Sequence, residues 1–233
     1  MKLLLVPIAL YLAVVALLYL GQRSLLYLPA NRAASDATGE NLAADRWPEG
    51  ARYRGYLLDR PQAEATLVVF HGNAGDAIDR LYYAEAAEPL NARLLLAEYP
   101  GYGARAGRPS ESVLIGDARE TLARVRRAFP DQPLYALGES LGAAVLAGAV
   151  GSSALAAPAS PAPPVDALVL LTPWSSLSAV AAHHYPLLPT RWLLRDRYRS
   201  AHHLAELTVP KVVVLAERDD VVPARFGRAL FDA

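Results

Sequence analysis

The chain has 233 residues, enough for one α/β domain with a sizeable core, and 53% of them are hydrophobic. Its 23 Lys and Arg residues equal its 23 Asp and Glu residues, and no basic run appears, which argues against a nucleic-acid partner. It has no cysteine, so disulfides, thiolate metal sites, a cysteine nucleophile and lipid attachment at cysteine are excluded.

Residues 3–20 are apolar and uncharged, just long enough to cross a bilayer as a helix. A cleaved signal and a buried soluble helix share that composition. The Tyr-Leu-Gly-Gln-Arg sequence at 19–23 fits a cleavage site poorly, so residues 1–23 are expected to be a single N-terminal membrane anchor. Lys2 on one side and Arg23 and Arg32 on the other leave its orientation open. Residues 24–50 show little periodicity and read as a linker and lead-in, and 51–233 as the folded domain.

Within that domain, residues 52–58 suggest a first antiparallel edge strand. Residues 65–70, a continuous β-branched and aromatic run, suit a strand buried on both faces. His71-Gly72-Asn73-Ala74-Gly75-Asp76 follows at once. Small residues at the carboxyl end of a buried strand let the backbone bend beneath a ligand, and the Asn73 N–H is a candidate oxyanion donor. Asp76 reads as a helix N-cap and His71 as a structural histidine bonded to the loop. A helix is expected over 77–90 and a strand over 93–99. A Gly-rich loop then runs to Pro109, and a helix capped by Ser110 runs to Phe129, with Arg124, Arg126 and Arg127 on its solvated face.

Residues 134–146 read as a short apolar strand, then Gly138-Glu139-Ser140-Leu141-Gly142, then a helix. That context makes the Gly-x-Ser-x-Gly pentapeptide a nucleophile elbow, with Ser140 at the tip of a strained turn. Gly138 and Gly142 are needed where strand and helix backbones pass too closely for a Cβ. The Leu141 N–H, at the positive end of the helix, is the other oxyanion donor. Residues 151–164 are Pro/Ala-rich and of low complexity, expected as a mobile surface insertion.

A strand at 165–172 leads to Pro173-Trp174-Ser175 at the same sheet end as the elbow. Residues 175–205 mix aromatics, prolines and arginines and suggest a small cap. Trp174, Tyr185, Leu187, Leu188 and Trp192 are candidates for lining an acyl pocket, or else are ordinary core residues under a long connection. The pairs His183-His184 and His202-His203 lack the i,i+4 spacing that puts two ligands on one helix face, so no metal and no cofactor is expected. The strand at 210–216 ends in Glu217-Arg218-Asp219-Asp220, where a carboxylate can reach toward the serine. A last helix starts near Pro223.

Taken together, Phe70-His71-Gly72-Asn73-Ala74-Gly75, Tyr99-Pro100-Gly101-Tyr102-Gly103 with Gly107-x-Pro109-Ser110-Glu111, the elbow, and Asp219-Asp220-Val221-Val222-Pro223 resemble the α/β-hydrolase family. More narrowly, they resemble its membrane-anchored branch with a His-Gly-Asn-Ala-Gly oxyanion loop. The resemblance covers about residues 67–231. It implies a mostly parallel sheet flanked by helices, Ser140 as nucleophile and Asp219 as the triad acid, with Asp220 as the fallback. It also implies hydrolysis of small-molecule or lipid-like esters or thioesters. The chain departs from the pattern at the third triad member. The family order is Ser, acid, His, yet no histidine follows Asp219. The expectation is therefore a chain that stops short of its last strand and catalytic histidine, and that is itself inactive although its full-length parent is a hydrolase. A non-catalytic binding or scaffold relative, and a peptidase on the same fold, are the alternatives. Neither the natural substrate, the side of the membrane nor the oligomeric state is legible.

Overall fold

The computed structural model describes residues 2–30, 44–151, 165–205 and 207–233. The expected insertion at 152–164 lies outside the described residues. Helix α1 (Lys2–Leu26) comes first, and its Leu5–Leu26 stretch has a mean hydropathy of 2.1 with none of it buried in the protein. It is long and apolar enough to span a bilayer. Strand β1 (Leu28–Pro29) then pairs in parallel with β5 (Ala74–Gly75), apart from the main sheet.

The main sheet adds β2 (Asp45–Trp47), β3 (Gly55–Leu58), β4 (Ala65–Phe70), β6 (Ala92–Ala97), β7 (Leu134–Glu139), β8 (Ala167–Leu171) and β9 (Lys211–Val214). Their spatial order is β2-β3-β6-β4-β7-β8-β9, with β2–β3 and β3–β6 antiparallel and every other pair parallel. In the parallel part the chain runs β6-β4 and then β7-β8-β9, so the order reverses beside β4. Open parallel sheets offer a crevice at such a reversal, at the carboxyl ends of their strands.

The helices are α2 (Tyr83–Ala87), α3 (Glu111–Ala128), α4 (Leu141–Val150), α5 (Leu177–His184), α6 (Thr190–Leu193), α7 (Ser200–Leu204) and α8 (Ala224–Phe231). Helices α3 and α4 cover one sheet face, in a core cluster that includes Val68, Phe70, Leu114, Leu122, Val145 and Leu146. Ile78, Tyr83 and Ala87 cover the other face, over Leu67, Val69, Leu94 and Leu96. Strands β4 and β6 are buried at every position, as their unbroken apolar runs require, and all ten residues of α4 are buried as well.

Two local expectations are corrected. Residues 24–50 are not a featureless linker, because they supply β1 and β2. The sheet edge is Asp45–Trp47, outside the strand expected at 52–58, which begins only at Gly55. An edge strand of three residues with one partner leaves almost no hydrophobic alternation to read. The helix expected at 77–90 is broken into a 3-10 turn (Ala77–Arg80), α2, and a second 3-10 turn (Glu88–Leu90). The first break lies beside Arg80, Tyr82 and Tyr83, all of which turn toward Glu139 of β7. The expected caps are present: Asp76 forms a capping box with Asp79, and Ser110 Oγ accepts from the Val113 N–H at 3.4 Å.

Candidate active site

The site begins with register. Phe70 pairs with Gly138, Gly138 with Leu170, and Leu171 with Val214, so β4, β7, β8 and β9 end side by side. The His71–Asp76 loop, the elbow, the Thr172–Trp174 turn and the Asp219 turn all leave from those ends.

Ser140 has φ 53° and ψ −110°, a conformation that costs a non-glycine residue about 1–3 kcal/mol. Neighbouring backbone holds it there. A Cβ on Gly142 would fall 2.0 Å from the Phe70 carbonyl oxygen, and one on Gly138 would fall 2.6 Å from Ala143 N and Cα. The Ser140 N–H donates to the Leu171 carbonyl at 2.9 Å, fixing the turn to the next strand. Its side chain makes no cap hydrogen bond, and the residue is part-exposed at the sheet end. Leu141 opens α4 and is buried, so its N–H lies at the positive end of an entirely buried helix.

The candidate oxyanion loop is pinned from three sides. His71 is 1% exposed; its Nε2 lies 3.1 Å from Glu98 Oε1 and its Nδ1 lies 2.7 Å from the Gly72 carbonyl. Glu98 also accepts from the Ala77 and Tyr99 N–H groups, and Tyr99 Oη donates to the His71 carbonyl at 2.9 Å. His71 is thus a scaffold residue, as its sequence context suggested.

The Asn73 side chain is engaged with the end of α1. Its amide nitrogen donates to the Leu26 carbonyl, and its Oδ1 accepts from the Leu28 N–H at 3.3 Å and from Tyr102 Oη at 2.9 Å. The β1–β5 pair sits directly beside it. The sequence suggested only a backbone role for Asn73; its side-chain role depends on a segment 45 residues away.

A third tie was also missed. Glu139, next to the serine, accepts from Arg80 Nη2 at 3.1 Å, Tyr82 Oη at 3.1 Å and Tyr83 Oη at 3.3 Å. Arg80 also donates to the Ala74 carbonyl at 3.2 Å, so this cluster joins the loop to the elbow. Burial works against the Arg80 charge, but Glu139 outweighs it and holds the guanidinium above its usual range. Burial, then the Glu139 carboxylate, pushes the Tyr83 hydroxyl far up, so it stays a neutral donor.

Asp219 follows β9. Its Oδ1 accepts from the Val221 and Val222 N–H groups at 2.9 and 2.7 Å, closing a tight turn. It is partly buried, whereas Asp220 is exposed. The histidines go elsewhere. His184 Nε2 lies 2.9 Å from the Val221 carbonyl, on the Asp219 turn, and the His183 ring sits 6.0 Å from that of Phe226. His202 and His203 lie against each other on α7. None of these contacts is with Ser140 or Asp219.

The candidate acyl-pocket residues are not gathered together. Trp174 is buried, with its indole N–H unpartnered. Leu188 is half-buried, and Tyr185, Leu187 and Trp192 are exposed by 60, 85 and 76%. A cleft of about 560 Å³ opens at the opposite end of the sheet, between Arg126, Asp166 and Pro210, away from the elbow. Among the described residues no group of three or more His, Asp or Glu side chains could hold a metal ion.

No family model matches the chain. An uncharacterised protein of Mycobacterium tuberculosis (strain CDC 1551 / Oshkosh) is 36% identical over 230 residues, covering 94% of this chain and 78% of its own length. The lysophosphatidylserine lipase ABHD12 of Danio rerio is 28% identical over 181 residues, covering 71% of this chain, and the chain spans 46% of that lipase. Among solved structures, an α/β-hydrolase from Vibrio vulnificus superposes with a TM-score of 0.59 at 19% identity, over 77% of this chain and 65% of its own. Sheet order, the strained serine between β7 and α4, and these likenesses agree: the chain has the α/β-hydrolase fold.

Proposed function

We propose that this is the membrane-anchored domain of a serine hydrolase that cleaves carboxylic esters or thioesters with an apolar acyl part. The observation that carries this reading is the Ser140 backbone, held at φ 53° by contacts that admit no Cβ on either flanking glycine. A protein with no use for an exposed hydroxyl gains nothing from such strain. The activity in the printed name of the ABHD12 relative supports the ester class, and the length and hydropathy of α1 support the anchor.

In this reading the Ser140 hydroxyl attacks the carbonyl carbon of the ester. The developing oxyanion is met by the Leu141 and Asn73 N–H groups, each worth about 3 kcal/mol when removed singly. The alkoxide or thiolate leaves with a proton, and water then releases the acyl group by the same path. Asp219 is the acid that orients a histidine and stabilises its charged form. The 233 residues carry no histidine after Asp219. In this reading the scaffold, oxyanion donors and acid are in place, and the printed bonds of His71 and His184 go to other groups than Ser140 or Asp219. We infer that the 233-residue chain by itself turns over esters hardly at all.

The test is phosphonylation of Ser140. An alkyl fluorophosphonate incubated with the chain in the presence of free imidazole is expected to add one phosphonyl group, located at Ser140 by peptide mass. A binding protein that merely retains the turn takes up none, and that result would remove the hydrolase reading.

A further inference from the structure

The cap and α1 touch along most of the helix. Tyr11 Oη donates to the Leu187 carbonyl at 2.9 Å. The Arg195 guanidinium lies 4.4 Å from the Tyr19 ring. Gln22 donates to the Leu193 carbonyl at 3.3 Å and accepts from the Arg195 N–H at 2.8 Å. Arg23 forms a two-pronged ion pair with Asp196 at 2.9 and 3.0 Å, and Tyr27 bonds Asp196 and Tyr198. These contacts fix depth. At 1.5 Å per residue, Tyr11 lies roughly 18 Å along the helix from Arg23. A bilayer's hydrocarbon core is about 30 Å thick. If Arg23, Asp196 and Arg195 sit at headgroup level, Tyr11 and the Leu187 backbone beside it are well inside the lipid.

The cap segment suits that location. Tyr185, Leu187 and Trp192 are its most exposed large apolar side chains. Part of its backbone is already satisfied: the N–H groups of Tyr185, Leu188, Thr190, Trp192 and Leu193 donate within the chain, and Pro186 and Pro189 have none to donate. Its charged groups are arginines, Arg191 and Arg195, whose long stems can carry the charge up to the headgroups. Arg191 lies 5.6 Å from the Trp192 ring, a pairing suited to the interface.

We propose that residues 185–195 form a second membrane contact, whose Tyr185, Leu187 and Trp192 side chains insert into the same leaflet from which α1 emerges. The occupant of this apolar surface is thus the bilayer itself. An ester substrate would then reach the cap from within the lipid. This rests on reading α1 as a membrane anchor.

The chain has no native cysteine, so one introduced thiol is a clean reporter. Full-length chains carrying Leu187→Cys, or Glu64→Cys at the exposed amino end of β4, would be labelled with an environment-sensitive fluorophore. They would be reconstituted into phosphatidylcholine and phosphatidylglycerol vesicles with and without acyl-chain nitroxide lipids, and carbonate-resistant flotation would be scored in parallel. The expected result is flotation of both proteins, with about fivefold greater nitroxide quenching at 187 than at 64, because only a label in the hydrocarbon meets the quencher. Flotation with equal, weak quenching at both positions overturns the cap insertion and leaves the anchor standing. Failure to float overturns both.

Discussion

The two halves of the parallel sheet are built differently. Strand β4 and helix α4, which flank the serine, are buried throughout. Strand β9, which leads to Asp219, pairs only with β8 among the described residues; Lys211, Val212 and Val214 are exposed, and only Val213 is half-buried. The half around Ser140 is over-determined by close backbone contacts and buried hydrogen bonds. The half around Asp219 joins the core through Val209, Val222 and Leu230, which flank an exposed strand. Both halves hold a left-handed residue: Ser140 at φ 53° in the first, and in the second Thr172 at φ 47°, whose N–H donates to Val214 of β9.

The largest expected effect comes from attacking the tight half. Gly142→Ala places a Cβ of α4 against the Phe70 and His71 carbonyls at the end of β4, and should cost about 3 kcal/mol or more or prevent folding. Thermal unfolding followed by circular dichroism measures it. Asn73→Ala removes the side-chain tie between the end of α1 and the 71–76 loop, whose β1–β5 pairing remains, and should cost about 1–3 kcal/mol. Amide exchange at 72–76 should accelerate with it, while exchange in β4 should not. Ser140→Gly should instead stabilise, by about 1 kcal/mol, because it releases the strain at the price of some chain entropy. A lower midpoint for this variant would contradict the claim of strain.

The smallest effect lies on α7, whose His203 backbone passes against Gly151 at the end of α4. His203, on α7, has its pKa held below the usual value, chiefly by burial and then by the charges of His202, Arg119 and Arg199. Its neutral form is favoured in the folded state. The stability it contributes is complete above about pH 6.5 and is lost as the pH falls through the lower folded value. The unfolding midpoint should decline modestly between pH 7 and 5, and His203→Gln should flatten that slope.

Legibility in the sequence follows the same division. Elements set by local rules were readable: the buried strands, the Asp76 and Ser110 caps, and the glycines two residues either side of Ser140. These leave a local pattern in the sequence, even where, as at Gly142, the contact that demands it is with distant Phe70. What was hidden depends on distant partners. The Asn73 side chain meets residues 26 and 28, and Glu139 meets Arg80, Tyr82 and Tyr83. Neither pairing leaves a periodic trace. Strand β2 was missed because three residues at an edge need only one neighbour. The aromatics of 175–205 suggest either a pocket lining or ordinary core, whereas Leu187 and Trp192 are exposed. Composition reports that a segment is apolar, and only the fold reports what its apolar side faces.

The most direct measurement compares p-nitrophenyl ester hydrolysis by the 233-residue chain and by its Ser140→Ala variant, with and without free imidazole. Without imidazole the two proteins should match within background. With it, only the chain that keeps Ser140 should exceed the solution reaction, because an external base fills the one role the sequence leaves open. Serine-dependent turnover without imidazole, or equal rates in its presence, would contradict the account.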